Sequence, residues 1–223
     1  MHGSVLDRLG RFAREKHASA ERPGVVLAIL RRAGGVWFEG GRQFHLVDSY
    51  GGTRTETEIM NVLARGGIVG GSSAGASILG SFMVRGAPSN NNFIMEYPGY
   101  TRGFGYLRNT GIDQHVVARE RLADIADSLI SRHPDMLFIS EDEGTAWIVK
   151  GDEAEIAGRN KAFVYNGRDP KDPGKPYTVG KGSFIDDMIT AAGGAGSADG
   201  FTGTATGLGG FSNINILICK YTC

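Results

Sequence analysis

Gly71-Ser72-Ser73-Ala74-Gly75 sets a serine among small residues in the pattern G-x-S-x-G. Small neighbours allow a strained strand-to-helix turn that lifts a hydroxyl out of a sheet toward a ligand. A helix beginning at Ala74 would aim its first backbone N–H groups at an oxygen gaining negative charge. That chemistry is nucleophilic attack on an acyl carbon, and it needs a base because a serine hydroxyl is a poor nucleophile at neutral pH.

Five histidines are available: His2, His17, His45, His115 and His133. His2 and His17 fall in an N-terminal helical pattern. His133 precedes Pro134 at a helix end, where a solvated positive charge is at home. His45 and His115 remain. Of these, His115 follows Gly111-Ile112-Asp113-Gln114, a strand-to-loop transition of the kind where α/β enzymes place site residues. An imidazole base needs an orienting carboxylate, and Glu141-Asp142-Glu143 follows the apolar run Met136 to Ser140, at the same sheet edge. Spacing alone does not choose among these three acids.

The elements that must position these groups follow from periodicity. Val5, Leu6, Leu9 and Phe12 predict a first amphipathic helix, and a second covers Val25 to Arg32. Val36-Trp37-Phe38 reads as a buried strand running into Gly40-Gly41. A helix capped at Thr55 or Thr57 runs to Arg65, with Ile59, Val62 and Leu63 inward, ahead of the strand Ile68-Val69. The spacing predicts further helices over Ser77 to Met83 and Arg119 to Arg132. From Thr145, three short apolar runs separated by polar turns predict antiparallel strands. Strands alternating with helices indicate an α/β fold with a mixed sheet, parallel first and a meander later.

The chain has 223 residues, long enough for one buried core, and is expected to form a single domain. Lysine plus arginine equals aspartate plus glutamate at 24 each, which gives no electrostatic pull toward nucleic acid or an anionic membrane. Only Cys219 and Cys223 occur, so neither a disulfide framework nor a cysteine nucleophile is expected. Asp7 and Arg8 interrupt any signal-peptide core and no apolar run is long enough to span a membrane, so the expected location is cytoplasmic. No metal-ligand spacing, Walker lysine or dinucleotide fingerprint is present; no metal and no cofactor are expected. Many of the 35 glycines lie between Gly180 and Gly210, a stretch with little apolar bulk that reads as a linker.

Four blocks carry a family resemblance: Phe38-Glu39-Gly40-Gly41-Arg42-Gln43; Gly71 to Ala76; Asp113-Gln114-His115 with Arg119 and Arg121; and Asp142-Glu143-Gly144-Thr145-Ala146. In this order, over about residues 24–190, they resemble peptidase family S51. The likeness is nearer to its cyanophycinase branch than to its aspartyl dipeptidase branch, peptidase E. The resemblance implies a single-domain, mostly parallel (mixed) sheet flanked by helices, as in class I glutamine amidotransferases and flavodoxin. On it, residues 1–190 form the hydrolase domain with a nucleophile elbow and a C-terminal antiparallel strand meander. Residues 191–223 form a glycine-rich tail with a short apolar terminal segment. The roles it implies are Ser73 as nucleophile, His115 as base and Glu143 as orienting acid. Gly41 and Ala74 would supply oxyanion N–H groups, and Gln43, Asp113, Gln114, Arg119 and Arg121 would line the substrate pocket.

The activity implied is that of a serine peptidase cleaving a peptide or isopeptide bond next to an aspartyl residue through an acyl-enzyme. The alternatives are a carboxylesterase acting on small acyl esters with the same residues, and a catalytically inactive peptide-binding homologue. The expected partners are a small peptide or ester substrate and a second copy in a homodimer, with no nucleic acid and no membrane. Departures from the family pattern include the glycine-rich tail, whose end Ile-Asn-Ile-Leu-Ile-Cys-Lys-Tyr-Thr-Cys looks unlike a family C-terminus. Glu39 and Arg42 stand where cyanophycinases tend to have a small hydroxyl residue and an aspartate. Asp124 stands where they often place a further arginine. The family normally begins with additional strands ahead of the Gly40-Gly41 block, including the first strand of its parallel sheet, where this chain has a helix-like segment. Arg85 to Asn92, the segment from which the dipeptidase branch draws its acid, offers no carboxylate before Glu96.

Overall fold

Gly35–Phe38 (β1) and Ile68–Ser72 (β2) run parallel, with Gly35 opposite Ile68 and Phe38 opposite Gly71. Both come from the apolar runs read as strands, in a computed structural model that describes residues 23–151, 153–166, 177–178 and 215–219. Three helices surround the pair: Pro23–Leu30 (α1), Gln43–Tyr50 (α2) and Arg54–Ala64 (α3). α3 is capped by Thr53, not by Thr55 or Thr57. The Thr53 backbone is extended and its Oγ1 accepts the Glu56 N–H at 3.3 Å, while Glu56 reaches back to the Gly52 N–H at 2.6 Å. Ile59 and Val62 are buried as the spacing required.

β2 ends at the glycine-serine turn, and one turn of helix, Ala74–Ser77 (α4), leads into the strand Gly80–Phe82 (β3). The helix expected over Ser77 to Met83 is therefore absent. Ile78, Leu79, Met83 and Val84 are all fully buried, and so short an apolar run does not distinguish strand from helix by its period. Gly80 decides the outcome, because its backbone lies so close to Thr110 that a Cβ would stand 2.5 Å from the Thr110 carbonyl oxygen.

Leu107–Gln114 (β4) and Leu137–Glu141 (β5) follow, parallel to each other and in register from Thr110 opposite Leu137 to Gln114 opposite Glu141. The chain between them is mostly turns with a single π-helical turn at Ala126–Ile130, shorter than the predicted Arg119–Arg132 helix. Ile125, Leu129 and Ile130 still pack inward beside Phe138 and Tyr165. Thr145–Lys150 (β6) and Glu153–Gly158 (β7) form the expected antiparallel hairpin. Ala162–Asn166 (β8) crosses to pair antiparallel with β5, and Tyr177–Thr178 (β9) pairs with β8.

The remaining strand, Asn215–Cys219 (β10), comes from the apolar end of the glycine-rich tail and sits between β2 and β6, antiparallel to the first and parallel to the second. The result is a mixed α/β arrangement in two five-stranded sheets, ordered β1-β2-β10-β6-β7 and β3-β4-β5-β8-β9. A core built around Phe38, Ile59, Val69, Ile112, Ile139 and Trp147 joins them, each residue burying surface worth about 1.5–3 kcal/mol. The first amphipathic helix, the linker over Gly180 to Gly210 and the boundary at residue 190 lie outside the described residues.

Candidate active site

Four strands deliver the candidate residues to one edge. β1 ends at Phe38 before Gly40 and Gly41, β2 before Ser73, β4 before His115, and β5 leads through Asp142 to Glu143. Ser73 adopts φ 54° and ψ −119°, a backbone conformation unfavourable for a residue with a Cβ. The glycines on either side make it sterically feasible. A Cβ on Gly71 would stand 2.2 Å from the Gly75 carbonyl oxygen, and one on Gly75 would stand 2.1 Å from the Phe38 carbonyl oxygen. The turn is packed against both itself and the end of β1.

His115 Nε2 lies 3.0 Å from Ser73 Oγ, and its Nδ1 lies 2.8 Å from Glu143 Oε1. The imidazole is almost fully buried, at 4% exposure, whereas the Glu143 side chain is 43% exposed. Burial is the main influence lowering the histidine pKa, aided by the charges of Arg119 and Arg121. The hydrogen bond and charge of Glu143 pull it back up. The net direction is downward, so the imidazole is neutral and able to accept a proton at neutral pH.

The acidic run resolves by side-chain direction. Glu141 ends β5 fully buried, its carboxyl oxygens make no geometric hydrogen bond among the described residues, and desolvation drives its pKa well up. The nearby Trp147 indole N–H donates instead to the Ser140 carbonyl at 3.4 Å. Asp142 Oδ1 accepts the Ala118 N–H at 3.0 Å, which fastens the turn after His115. Only Glu143 reaches the imidazole. Its own turn is anchored by Arg159 N–H to the Gly144 carbonyl, by Asn160 N–H to Thr145 Oγ1, and by the Asn160 amide to the Glu143 carbonyl. His45, the other histidine the sequence left in play, lies exposed on α2 with its ring against Phe44.

Gly40 packs so closely on Ser73 that a Cβ there would stand 3.2 Å from Ser73 Cβ, and Gly41 follows with φ 124°. Neither the Gly41 nor the Ala74 N–H donates to an acceptor among the described residues, so both are available to an oxyanion. The residues expected to line a substrate pocket divide. Gln43 is buried and donates to the Val84 carbonyl at 3.1 Å. Asp113 is fully buried in a two-pronged pair with Arg85, at 2.8 and 2.7 Å. Gln114 is buried with its side-chain oxygen unpartnered. Arg119 is exposed, and Arg121 is 6% exposed with no ion pair or hydrogen bond from its guanidinium among the described residues. Arg85 escaped sequence reasoning, because only the fold brings it across to Asp113. No group of three or more His, Cys, Asp or Glu side chains converges as a metal site among the described residues, and no described helix is long and apolar enough to cross a membrane.

Glu143→Gln is expected to slow acylation of Ser73 about a thousandfold. It should also carry the acid limb of the pH profile lower. The neutral imidazole is the reactive form, so the rate is full above its pKa and falls as pH drops through it. Removing the groups that raise that pKa moves the fall to lower pH. Labelling rates with a fluorophosphonate across pH 4–8 check both expectations; an unmoved or raised midpoint would contradict the pairing.

Comparison with known proteins gives a consistent result. The model of Peptidase family S51 matches residues 3–157. Among curated proteins, the cyanophycinase of Synechococcus elongatus is 33% identical over 146 residues, which is 65% of this chain and 45% of that protein. The cyanophycinase of Nostoc sp. (strain PCC 7120 / SAG 25.82 / UTEX 2576) is 29% identical over 145 residues, 62% of this chain and 47% of that protein. The chain thus spans about half the length of the curated relatives it matches. Among solved structures, a peptidase from an acI-B1 Actinobacterium superposes with a TM-score of 0.54 at 19% identity, covering 81% of this chain and 77% of that one. At that identity the likeness is one of fold.

Proposed function

The chain belongs to peptidase family S51, and on that premise we propose that it is a serine peptidase forming an acyl-enzyme on Ser73. The observation that carries this reading is the continuous line Ser73 Oγ, His115 Nε2, His115 Nδ1, Glu143 Oε1, each step within hydrogen-bond distance. His115 takes the Ser73 proton as Oγ attacks the carbonyl carbon, and the oxyanion rests on the Gly41 and Ala74 N–H groups. The imidazolium, held by Glu143, then gives its proton to the departing amine. A water deprotonated by the same histidine releases the acyl group and restores the serine.

The substrate we propose is a peptide or isopeptide bond next to an aspartyl residue, the free carboxylate of that residue meeting Arg121. A guanidinium this buried, with no hydrogen bond or ion pair of its own among the described residues, would gain from a bound carboxylate. Burial first, then the like charges of Arg85 and Arg119, lower its pKa against the opposing pull of Asp113 and Asp124, and its own charge bears on His115. Arg121→Gln is therefore expected to lower kcat/KM on an aspartyl peptide about a hundredfold. Fluorophosphonate labelling at pH 8 should fall far less, because that probe carries no carboxylate. The labelling midpoint should also rise, since the removed positive charge had held the histidine pKa down.

The direct test is fluorophosphonate labelling of the purified protein, followed by assay on aspartyl peptides and on short acyl esters. Labelling together with peptide cleavage supports the reading, whereas turnover of esters alone would reassign the chain as a carboxylesterase. A folded sample that binds peptides but neither labels nor turns over would make it a binding homologue.

A further inference from the structure

The proposed machinery is divided between the two sheets: Gly41 and Ser73 follow strands of the first, His115 and Glu143 follow strands of the second. Ser73 is tied to the second sheet by α4, which runs straight into β3. The Gly41 turn has no such connection, and glycine at φ 124° has wide freedom to relax. A second connection exists through side chains. Arg42, the residue after Gly41, donates through Nη1 to Asn92 Oδ1 and through Nη2 to the Ala87 carbonyl at 3.0 Å. Asn92 is held from its other side as well, its backbone carbonyl accepting Arg85 Nη1 at 2.6 Å. Arg85, 1% exposed, spends its remaining donors on Asp113 and on Asp124. Asp113 Oδ1 also accepts the backbone N–H of Gln114 at 2.9 Å, one residue before His115.

The path therefore runs from the oxyanion turn to the base without passing through Ser73: Gly41, Arg42, Asn92, Arg85, Asp113, His115. We propose that Arg42, Asn92 and Arg85 form a brace across the two sheets that fixes the Gly41 N–H relative to the Ser73–His115 pair, with Asn92 as its positioning residue. This rests on the serine-peptidase reading given above. None of the bonds that Arg42, Asn92 and Arg85 make is to the imidazole. Its effect falls on a donor used as charge develops on the carbonyl oxygen, so it acts on turnover more than on binding. Charge-assisted bonds from two guanidinium groups suit the task because their donors are fixed in a plane.

The test compares the full-length chain with Asn92→Ala, Arg42→Ala, the double variant and Asn92→Asp, all confirmed folded by circular dichroism. Asn92→Ala and Arg42→Ala should each lower kcat and the fluorophosphonate labelling rate about tenfold or more, with KM within twofold and the pH midpoint of labelling unmoved. The double variant should be no worse than the poorer single one, because both break the same link. Asn92→Asp keeps an acceptor for Arg42 and should recover most of the rate, which also separates loss of the brace from a failure to fold. Multiplicative losses in the double variant, or an active wild type whose single variants keep full rate, would overturn the brace and leave the peptidase reading standing. A folded wild type that neither labels nor turns over would overturn both.

Discussion

Ser73→Ala is expected to abolish fluorophosphonate labelling and to reduce hydrolysis about 10⁴-fold or more, leaving the thermal midpoint little changed. Among the described residues the serine side chain makes one hydrogen bond, to His115, and the turn is shaped by the glycines on either side of it, so alanine keeps the turn and removes only the hydroxyl. Alanine also tolerates the positive φ no worse than serine does. His115→Ala should cost nearly as much, and the double substitution hardly more than either, because a nucleophile without its base and a base without its nucleophile are equally idle. Second-order labelling rates for the four proteins, with peptide mapping of the labelled site, check this. Labelling that persists in Ser73→Ala at another residue would remove Ser73 from the role.

The second large effect is expected from a single methyl group. Gly75→Ala would place a Cβ 2.1 Å from the Phe38 carbonyl oxygen and 2.7 Å from that of Glu39, both backbone atoms at the end of β1. Backbone does not move aside as a flexible side chain does, so either the elbow or the β1 end must shift. The same shift would carry the Gly40-Gly41 turn away from Ser73. A loss of about 3 kcal/mol, read as a fall of about 10 °C in the thermal midpoint, should accompany loss of labelling. Gly34→Ala is the matched control, since a Cβ there meets nothing within 4 Å and should leave both readouts unchanged. If the two variants melt alike, the close approach at Gly75 is not what shapes the turn.

The tight turn at Ser73 and the strand end before His115 were legible in the sequence because they depend on local features: small residues around Ser73, and the segment Gly111 to Gln114 before His115. The acid was not, since Glu141, Asp142 and Glu143 differ only in where successive side chains point at a strand end, and that is settled by the turn that Arg159 and Asn160 hold in place. The segment after Ser73 misled for a different reason. It is short and almost wholly buried, with Ser77 and Ser81 at a spacing that imitates one helix face, and so brief a run does not separate strand from helix by its period. α2 was missed because its polar and apolar residues mark no clear stripe; it is fixed instead by Gln43 reaching the Val84 carbonyl and by its place after the glycine turn. The brace through Asn92 joins residues far apart in the chain, and no local pattern encodes it.

The place of β10 has a consequence in time. Residues 215–219 are the inner partner of both β2 and β6, so the strand that ends at the Ser73 turn completes its pairing with one of the most distant segments of the chain. Contacts of such long range are slow to form, because a large loop must close before they return any stabilisation. Until then β2 and β6 each present an unpaired edge that any other extended chain could occupy. During synthesis and refolding, the strand that leads to Ser73 is therefore the one left waiting, and self-association of unfinished chains competes directly with completion of the sheet.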